Sequence, residues 1–199
     1  MDRNEHGRVD DTVTPTDDAD ERGRRRTPQL LHLNDADDYE VAKGEPDIRG
    51  WDVKSSDGQK LGKVEDLLID TEPMRVRYVE VKLDDKIAKD GGEQEYVLVP
   101  IGAARLDDEH DDVLVDLSAA NIPGLPAYSR GKLTPEYEVS LLDRYRPAGT
   151  ADLADDRAME REAQGDFYGS RHFDDRRFFG SRRRGGDQSP YITSSRRRT

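Results

Sequence analysis

Short runs of hydrophobic residues, separated by turn-forming residues, fill the middle of the chain between positions 46 and 116, and polar sequence flanks this region on both sides. The runs are rich in β-branched residues and recur about every 8–12 residues, which is typical of short antiparallel strands. We predict a mainly β fold, a small antiparallel β-barrel, because full closure removes the exposed edges of an open sheet. The predicted strands cover residues 51–53, 61–69, 76–83, 96–101, 104–107 and 113–117.

Turn and bulge residues lie between and within these strands. Asp57-Gly58 favours a tight hairpin turn, and Glu72-Pro73 predicts another turn because proline cannot occupy a central strand. Gly62 indicates a bulge or sharp bend inside its strand. The apolar residues shift from even to odd positions near residues 78–79, which indicates a second bulge there. The polar stretch 84–93 is predicted to be the longest loop of the domain.

A short helix is predicted after the strands, over residues 136–146. Thr134 is a good N-cap, and Pro135 occupies the first helical position, where an N–H is not needed. The apolar face of this helix is expected to carry Tyr137, Val139, Leu141 and Leu142.

Composition divides the chain into three regions. Residues 1–29 contain almost no large apolar residues and are expected to form a disordered N-terminal arm. Residues 30–147 form the predicted domain, and its lead-in, residues 30–33, either docks on the domain or acts as a linker. Residues 148–199, the C-terminal tail, are rich in arginine, glycine and aromatic residues and are expected to be disordered.

The net charge of −12 resides in the predicted domain. Residues 30–147 carry 15 Lys and Arg against 27 Asp and Glu, whereas residues 1–29 and 148–199 have net charges of −2 and +2. An acidic surface disfavours broad binding to the phosphate backbone of nucleic acids. The absence of cysteine excludes disulfides, thiolate metal sites and cysteine nucleophiles. Without a signal peptide or a long apolar run, the chain is expected to be cytoplasmic.

Six collinear motifs resemble those of the PRC-barrel family. They are PDIRGWDV (46–53), the Asp57-Gly58 turn, LGKVEDLLID (61–70), EPMRVRYVEVKL (72–83), VLVPIG (97–102) and IPGLP with LTPEYE (122–138). More narrowly, residues 30–147 resemble the cytoplasmic domain of the H subunit of purple-bacterial photosynthetic reaction centres. The resemblance implies a compact β-barrel that binds other proteins and has no catalytic centre. The same barrel occurs in ribosomal-RNA processing factors that bind a ribosomal protein.

The H-subunit resemblance also implies a proton-relay surface, since that subunit is thought to deliver protons towards a quinone. The matching carboxylates are Asp70, Glu72 and Glu80, and the competing interpretation is that they are solvated residues of strand ends and turns. Arg49 and Arg77 either face a partner or pair with nearby carboxylates inside the domain. The carboxylates considered for that pairing are Asp47, Asp66 and Glu80. Reaction-centre H subunits carry an N-terminal membrane helix, whereas residues 1–29 are hydrophilic, so we expect a stand-alone relative.

Known catalytic and ligand-binding patterns are not found in the sequence. The four histidines are scattered, and residues 58–63 lack the spacing and the final Ser or Thr of a P-loop. The acidic stretch 107–112 offers oxygen ligands for a hard cation but lacks the spacing of an EF-hand, so a hairpin turn is predicted. We therefore predict no enzymatic activity, no cofactor and no metal.

The C-terminal tail interleaves arginine with aromatic residues. This mixture suits stacking on bases and pairing with phosphates, and it equally suits anionic lipid headgroups. Two further hypotheses are that the tail docks onto the acidic domain and that it stays solvated and disordered. The residues predicted to contact nucleic acid or an anionic membrane are Arg176, Arg177, Phe178, Phe179, Arg182, Arg183 and Arg184.

These observations predict a non-enzymatic adaptor whose acidic barrel docks a partner protein, while the tail adds a second, weaker contact. A second hypothesis is an accessory subunit of a membrane electron-transport complex, as in the light reaction of photosynthesis, held peripherally at the cytoplasmic face of the membrane. A third is a ribosome- or RNA-associated factor that works through the basic tail. The sequence leaves the partner's identity and the oligomeric state open.

Overall fold

The fold, in a computed structural model, is described for residues 30–90, 94–107, 109–145, 167–179 and 190–195. Its strands are β1 (Leu30–His32), β2 (Tyr39–Val41), β3 (Asp52–Lys54), β4 (Lys60–Asp70), β5 (Arg75–Leu83), β6 (Tyr96–Pro100), β7 (Ala104–Asp107), β8 (Asp112–Val115) and β9 (Ile192–Ser194). The α-helices are α1 (Asp85–Asp90) and α2 (Pro135–Arg144). Short 3-10 helices cover Leu33–Asp35, Ile101–Ala103, Ala119–Gly124, Phe167–Gly169 and Arg171–Phe173.

Seven of these strands form one mixed sheet in the order β6-β5-β4-β3-β8-β7, with β1 as a further partner of β4. The long strand β4 is the centre of the sheet. β5 pairs along one of its edges, while β3 and β1 pair with opposite ends of the strand. The pairing of β3 with β8 is parallel, and the other pairings are antiparallel. β2 and β9 form a separate two-stranded sheet.

The predicted mainly β fold is confirmed, but the main sheet is mixed because β3 pairs with β8 in parallel, so the prediction of a wholly antiparallel sheet is wrong. Within the described residues no hydrogen-bonded ladder joins β6 to β7, the two ends of the sheet. Other parts of the chain cover both edges instead. The Tyr145 hydroxyl donates to the Leu98 carbonyl of β6 at 3.2 Å, and the Leu106 N–H of β7 donates to the Phe178 carbonyl at 3.4 Å. These bonds satisfy edge groups that closure would otherwise have paired.

Strands β3 to β8 lie close to the predicted positions, whereas β1, β2 and β9 were not predicted. Pairing is irregular at the two places that the sequence indicated and also at Glu65. The register between β3 and β4 shifts beside Gly62, where an added Cβ would lie 2.0 Å from the Lys82 carbonyl oxygen. Between β4 and β5 the extra residues are Glu65 on one strand and Arg77 on the other. The second predicted bulge is therefore confirmed, one residue earlier than expected. Residues 85–90, predicted as loop, form α1.

Helix α2 begins as predicted and buries Leu141 and Leu142 as predicted, but its inward face differs from the prediction at Val139. The Thr134 hydroxyl accepts a hydrogen bond from the Tyr137 N–H at 3.2 Å, which confirms the N-cap. Val139, expected in the core, is 49% exposed. The buried residues of the helix are Glu138, Leu141 and Leu142. The prediction for Val139 was wrong because a charged residue takes the inward position one residue before it.

Glu138 is buried because two tyrosine hydroxyls meet its carboxylate. The Tyr78 hydroxyl donates to Glu138 Oε1 at 2.8 Å, and the Tyr168 hydroxyl donates to the same oxygen. Burial raises the pKa of Glu138, and these two hydrogen bonds oppose that rise. Tyr168 lies in the C-terminal tail, so the tail supplies part of the environment of α2.

Two segments of the C-terminal tail, residues 167–179 and 190–195, pack against the domain. Their apolar side chains complete its core, and those that are at most 3% exposed are Phe173, Phe178, Phe179, Tyr191 and Ile192. The Phe173 ring meets the Tyr78 ring edge-on at 5.3 Å between centroids. The prediction of a disordered tail is therefore wrong for these two segments, which instead dock onto the domain. Residues 1–29 and the rest of 148–199 lie outside the described residues.

Ion pairs between the tail and the domain accompany this packing. Asp175 Oδ1 lies 2.9 Å from Arg75 Nη1, and Arg177 Nη1 lies 2.7 Å from Asp116 Oδ2. The lead-in segment also docks, since β1 pairs with β4 and Leu33 is buried. In the parts of the chain that the structure describes, no helix combines the length and the apolar character needed to cross a bilayer.

The tail's contribution to stability can be measured by truncating its buried rings. Phe178→Ala and Phe179→Ala should each lower the free energy of unfolding by about 3–5 kcal/mol, because each leaves a cavity in the core. Chemical denaturation of the full chain measures this loss. Arg176→Ala, at an exposed position in the same segment, should change it by less than about 0.5 kcal/mol. Equal, small effects of all three variants would contradict the packing of the tail.

Candidate functional site

Two carboxylates face each other inside the sheet. Asp66 of β4 pairs in register with Glu80 of β5, and both side chains are 0% exposed. Directly opposed residues of an antiparallel pair project to the same side of the sheet, with Cβ atoms roughly 5 Å apart. The extra residue at Glu65 places Asp66 in this position. Two buried like charges at such a distance require compensation.

Two cations from outside these strands provide that compensation. His32, at the end of β1, places Nδ1 3.3 Å from both Asp66 Oδ2 and Glu80 Oε2. Arg130, in the segment before α2, donates from Nη2 to the same two oxygens at 3.1 and 3.0 Å. The Asn34 N–H, at 3.1 Å, and the Leu67 N–H, at 2.8 Å, donate to the other oxygen of Asp66. We call His32, Asp66, Glu80 and Arg130 the buried charge cluster.

The protonation of His32 follows from its surroundings. Burial of the ring acts to lower its pKa, but the two carboxylates outweigh burial and raise the pKa of His32 to about 9. Nδ1 is buried and makes no hydrogen bond of suitable geometry with either carboxylate. Its contact with Asp66 and Glu80 is therefore an ion pair. Nε2 lies 2.9 Å from the Tyr128 hydroxyl, which accepts from the protonated ring. Burial raises the pKa of Tyr128 to about 12, so this hydroxyl keeps its own proton.

The buried charge cluster contains a set of atoms that could ligate a metal ion. His32, Asp66 and Glu80 each offer one ligand atom, and these atoms lie within 4.8 Å of one another. Imidazole nitrogen and carboxylate oxygen are ligands that Zn²⁺ accepts. However, the Arg130 guanidinium and the proton on His32 already supply two positive charges at the same oxygens. The arrangement is that of a charge-compensated ion cluster.

An open cleft of about 580 Å³ lies over one side of this cluster. We call it the Tyr96 cleft, and the residues of its lining that matter here are Glu65, Glu95, Tyr96, Tyr128 and Arg130. The side chain of Arg130 is 41% exposed, so its guanidinium touches the buried carboxylates and also borders the cleft. Lys82 Nζ lies 5.8 Å from the centroid of the Tyr96 ring and 3.5 Å from Glu95 Oε1. Two residues of the cleft lining, Tyr96 and Glu95, therefore hold one lysine of this chain between an aromatic face and a carboxylate.

The two arginines predicted from the sequence both make structural ion pairs. Arg49 donates from Nε to Asp47 Oδ1 at 2.8 Å, which was among the pairings considered. Arg77 donates from Nη2 to Asp70 Oδ2 at 2.9 Å, a partner that sequence reasoning did not name for it. The Arg77 guanidinium also lies over the Tyr168 ring of the tail, 4.7 Å from its centroid.

The three predicted relay carboxylates fall in three different settings. Asp70 is buried against Arg77, Glu72 is exposed in the turn between β4 and β5, and Glu80 belongs to the buried charge cluster. The structure brings Glu80 together with Asp66 and His32 and does not place Asp70 or Glu72 in that cluster.

The predicted nucleic-acid or membrane contacts of the tail are only partly accessible. Phe178 and Phe179 are each 1% exposed, so in this conformation they cannot stack on bases or enter a lipid surface, and the prediction is wrong for them. Arg176 is exposed, and Arg177 pairs with Asp116. Arg182, Arg183 and Arg184 lie outside the described residues.

The acidic stretch 107–112 is the turn of a hairpin, as predicted. Asp107 of β7 pairs in register with Asp112 of β8, and His110 Nδ1 lies 3.0 Å from Asp107 Oδ2. Asp111 adopts a positive φ of 54°, which is a common turn conformation for aspartate.

Three members of the buried charge cluster were missed as site residues. A signal for two of them exists in the sequence, because His32 and Asp66 are polar residues beside or within apolar runs, at 30–33 and 64–69. Such interruptions indicate buried polar groups that need partners. Arg130 carries no comparable local signal, since it lies in an irregular polar segment.

Comparison with protein-family models gives a match to the PRC-barrel domain over residues 44–122. The matched range contains strands β3 to β8 and therefore most of the mixed sheet. The match confirms the resemblance to the PRC-barrel family over these residues. The narrower resemblance to the reaction-centre H subunit stays a prediction. His32, Arg130, α2 and the tail segments lie outside the matched range, so the buried charge cluster joins matched strands to flanking sequence.

The stability of the protein should depend on pH through His32. Its folded-state pKa, about 9, exceeds the unfolded value of 6.5, so its contribution is fully present below pH 6.5 and is lost as pH rises through 9. The partly exposed ring reduces the expected loss to about 2 kcal/mol. Denaturation at pH 6.5 and pH 9.5 should show this decline in the wild type and in His110→Gln, but not in His32→Gln. An NMR titration of the His32 ring with a midpoint near 6.5 would contradict the ion pair.

Removing the second cation, Arg130, should show how strongly the two buried carboxylates destabilise the fold when they are not fully compensated. Arg130→Met should lower the free energy of unfolding by about 2–4 kcal/mol, because His32 alone then faces two buried negative charges. Lys132→Met removes an exposed charge two residues away and should change stability by less than about 0.5 kcal/mol. Thermal and chemical denaturation of both variants at pH 7 measures the difference. If Arg130→Met matched Lys132→Met, Arg130 would not be compensating the buried charges.

Proposed function

We propose, from the match of residues 44–122 to the PRC-barrel family, that this protein is a non-enzymatic adaptor that binds a partner protein through the Tyr96 cleft. The observation that carries the proposal is the lining of that cleft, in which the carboxylates of Glu65 and Glu95 stand beside the half-buried ring of Tyr96. Carboxylates next to an aromatic face suit an arginine or lysine side chain. The proposed partner surface is therefore a basic segment of another protein.

Lys82 illustrates how such a side chain would bind. Its ammonium group lies over the Tyr96 ring and beside Glu95 at a site where both charged side chains are at least half exposed. An exposed ion pair of this kind contributes little to folding stability, so a partner's cation can replace it at small cost. The charge of −12 on residues 30–147 would attract a basic partner over a longer range.

The buried charge cluster supports the cleft in this proposal. Arg130 is held on its inner side by Asp66 and Glu80, so its position on the cleft wall is fixed. A cleft with a fixed wall loses less conformational entropy on binding. The proposed place of action is the cytoplasm, at the inner face of the membrane if the partner is a subunit of an electron-transport complex like that of the reaction-centre H subunit.

Charge reversal within the cleft tests the proposal. Tagged full-length protein is used to recover and crosslink partners from its native cells, and the same is done with the double variant Glu65→Lys/Glu95→Lys. The variant should reduce recovery of the partner by about tenfold or more, since two attractive contacts become repulsive. Partner binding by the wild type should weaken as salt concentration rises.

A matched variant separates the cleft from overall charge. Glu40→Lys/Glu109→Lys makes the same change in net charge at two exposed positions outside the cleft, and it should retain the partner. Equal loss in both variants, or no loss in either, would count against the cleft. Recovery of membrane redox subunits would identify the accessory-subunit role, and nuclease-sensitive recovery of RNA that survives the cleft variant would favour the RNA-associated role.

A further inference from the structure

Strand β9, near the end of the chain, pairs with β2 in a two-stranded sheet that is separate from the mixed sheet. The two strands pair antiparallel, with Tyr39 opposite Ser194, Glu40 opposite Thr193 and Val41 opposite Ile192. Flanking backbone bonds extend this ladder, from the Ala42 N–H to the Tyr191 carbonyl and from the Ser195 N–H to the Asp38 carbonyl, both at 2.7 Å. β2 has no strand partner in the mixed sheet, so β9 supplies its strand pairing within the described residues.

Side chains anchor β9 in addition to its backbone bonds. Ile192 is 0% exposed and Tyr191 is 2% exposed, and the Tyr191 ring lies 4.8 Å from the Phe179 ring. The Tyr191 hydroxyl donates to the Pro46 carbonyl. Backbone pairing combined with buried side chains that anchor the strand is the mode in which strand-adding peptides bind to a sheet edge.

We propose that β2 is a docking site for an extended segment, and that a second copy of this chain can supply it by exchanging residues 190–195. The contacts of an exchanged strand are the same as those made within one chain, so exchange costs little once the strand has left its own site. Residues 180–189 connect the strand to Phe179, and ten residues reach up to about 35 Å. Reciprocal exchange fills β2 in both copies and gives a closed, symmetric dimer. This inference does not depend on the Tyr96 cleft or on any partner protein.

Charge sets the conditions under which the dimer forms. Each copy carries a net charge of −12, so the two domains repel each other at low salt. The dimer fraction should therefore rise with ionic strength, which is opposite to the salt dependence expected for a basic partner in the cleft. The two proposals can fail or succeed separately.

Disulfide trapping tests the exchange directly, since the chain has no cysteine of its own. Glu40→Cys and Thr193→Cys are made in separate full-length chains, one with a mass tag, because their Cα atoms are register partners on the exposed part of the ladder. The two proteins are mixed, incubated at high salt and oxidised. A mixed disulfide dimer should form about tenfold above the level given by Glu109→Cys with Thr193→Cys, since only paired strands hold cysteines at bonding distance.

The double variant Glu40→Cys/Thr193→Cys in one chain is the control for pairing within a copy. It should give a disulfide-bonded monomer when oxidised at high dilution, which shows that the two positions meet. A bonded monomer together with no mixed dimer above the Glu109→Cys level would overturn the exchange. Absence of any bond in the double variant would overturn the docking of β9 on β2 itself.

Discussion

Two carboxylates enclosed between β4 and β5 constrain how the rest of the chain is arranged. Asp66 and Glu80 have no access to water, and their mutual repulsion is offset by cations brought to the same oxygens. His32 and Arg130 come from sequence on either side of the matched PRC-barrel range. The lead-in strand and the segment before α2 must therefore be in place for the sheet to be stable. The folded unit is larger than the family domain because its charges are balanced from outside it.

A second constraint is the open sheet, whose two edges need backbone partners. The end of α2 covers β6 through Tyr145, and the tail covers β7 through Phe178. The tail also meets buried polar groups of the domain, because Tyr168 donates to Glu138 and lies under Arg77. Removal of the tail would thus leave an uncovered edge, an apolar gap beside Tyr78 and two charged groups with fewer partners. The buried aromatic residues of the tail pack in the core, whereas Arg176 and Arg177 lie at the surface.

The sequence correctly predicts features that depend on residues close together in the chain, such as turns, bends and helix caps. The Asp57-Gly58 turn, the bend at Gly62 and the cap at Thr134 follow from backbone geometry and nearby hydrogen bonds, and each is present. The errors concern contacts between residues far apart in the chain. The helical spacing of Val139 and Leu142 predicts Val139 in the core, and no local pattern shows that Tyr78 and Tyr168 hold Glu138 there instead. The average polarity of the tail predicts disorder, although a few of its aromatic residues are buried in the core.

The distribution of charged and apolar side chains between core and surface affects how the domain can bind other molecules. Its aromatic and aliphatic side chains are directed to the core, and among the described residues Val139 is the large hydrophobic side chain that stays exposed. A surface of this kind does not favour a permanent, apolar interface, which would need a contiguous hydrophobic patch. In the proposed adaptor role, recognition depends on charge and on aromatic faces such as Tyr96. Charge attraction of this kind mainly speeds association and selects partners, and its strength depends on salt. The domain has used its apolar side chains to hold its own flanking segments, which leaves charged and aromatic groups for the reversible contacts that the proposed adaptor role requires.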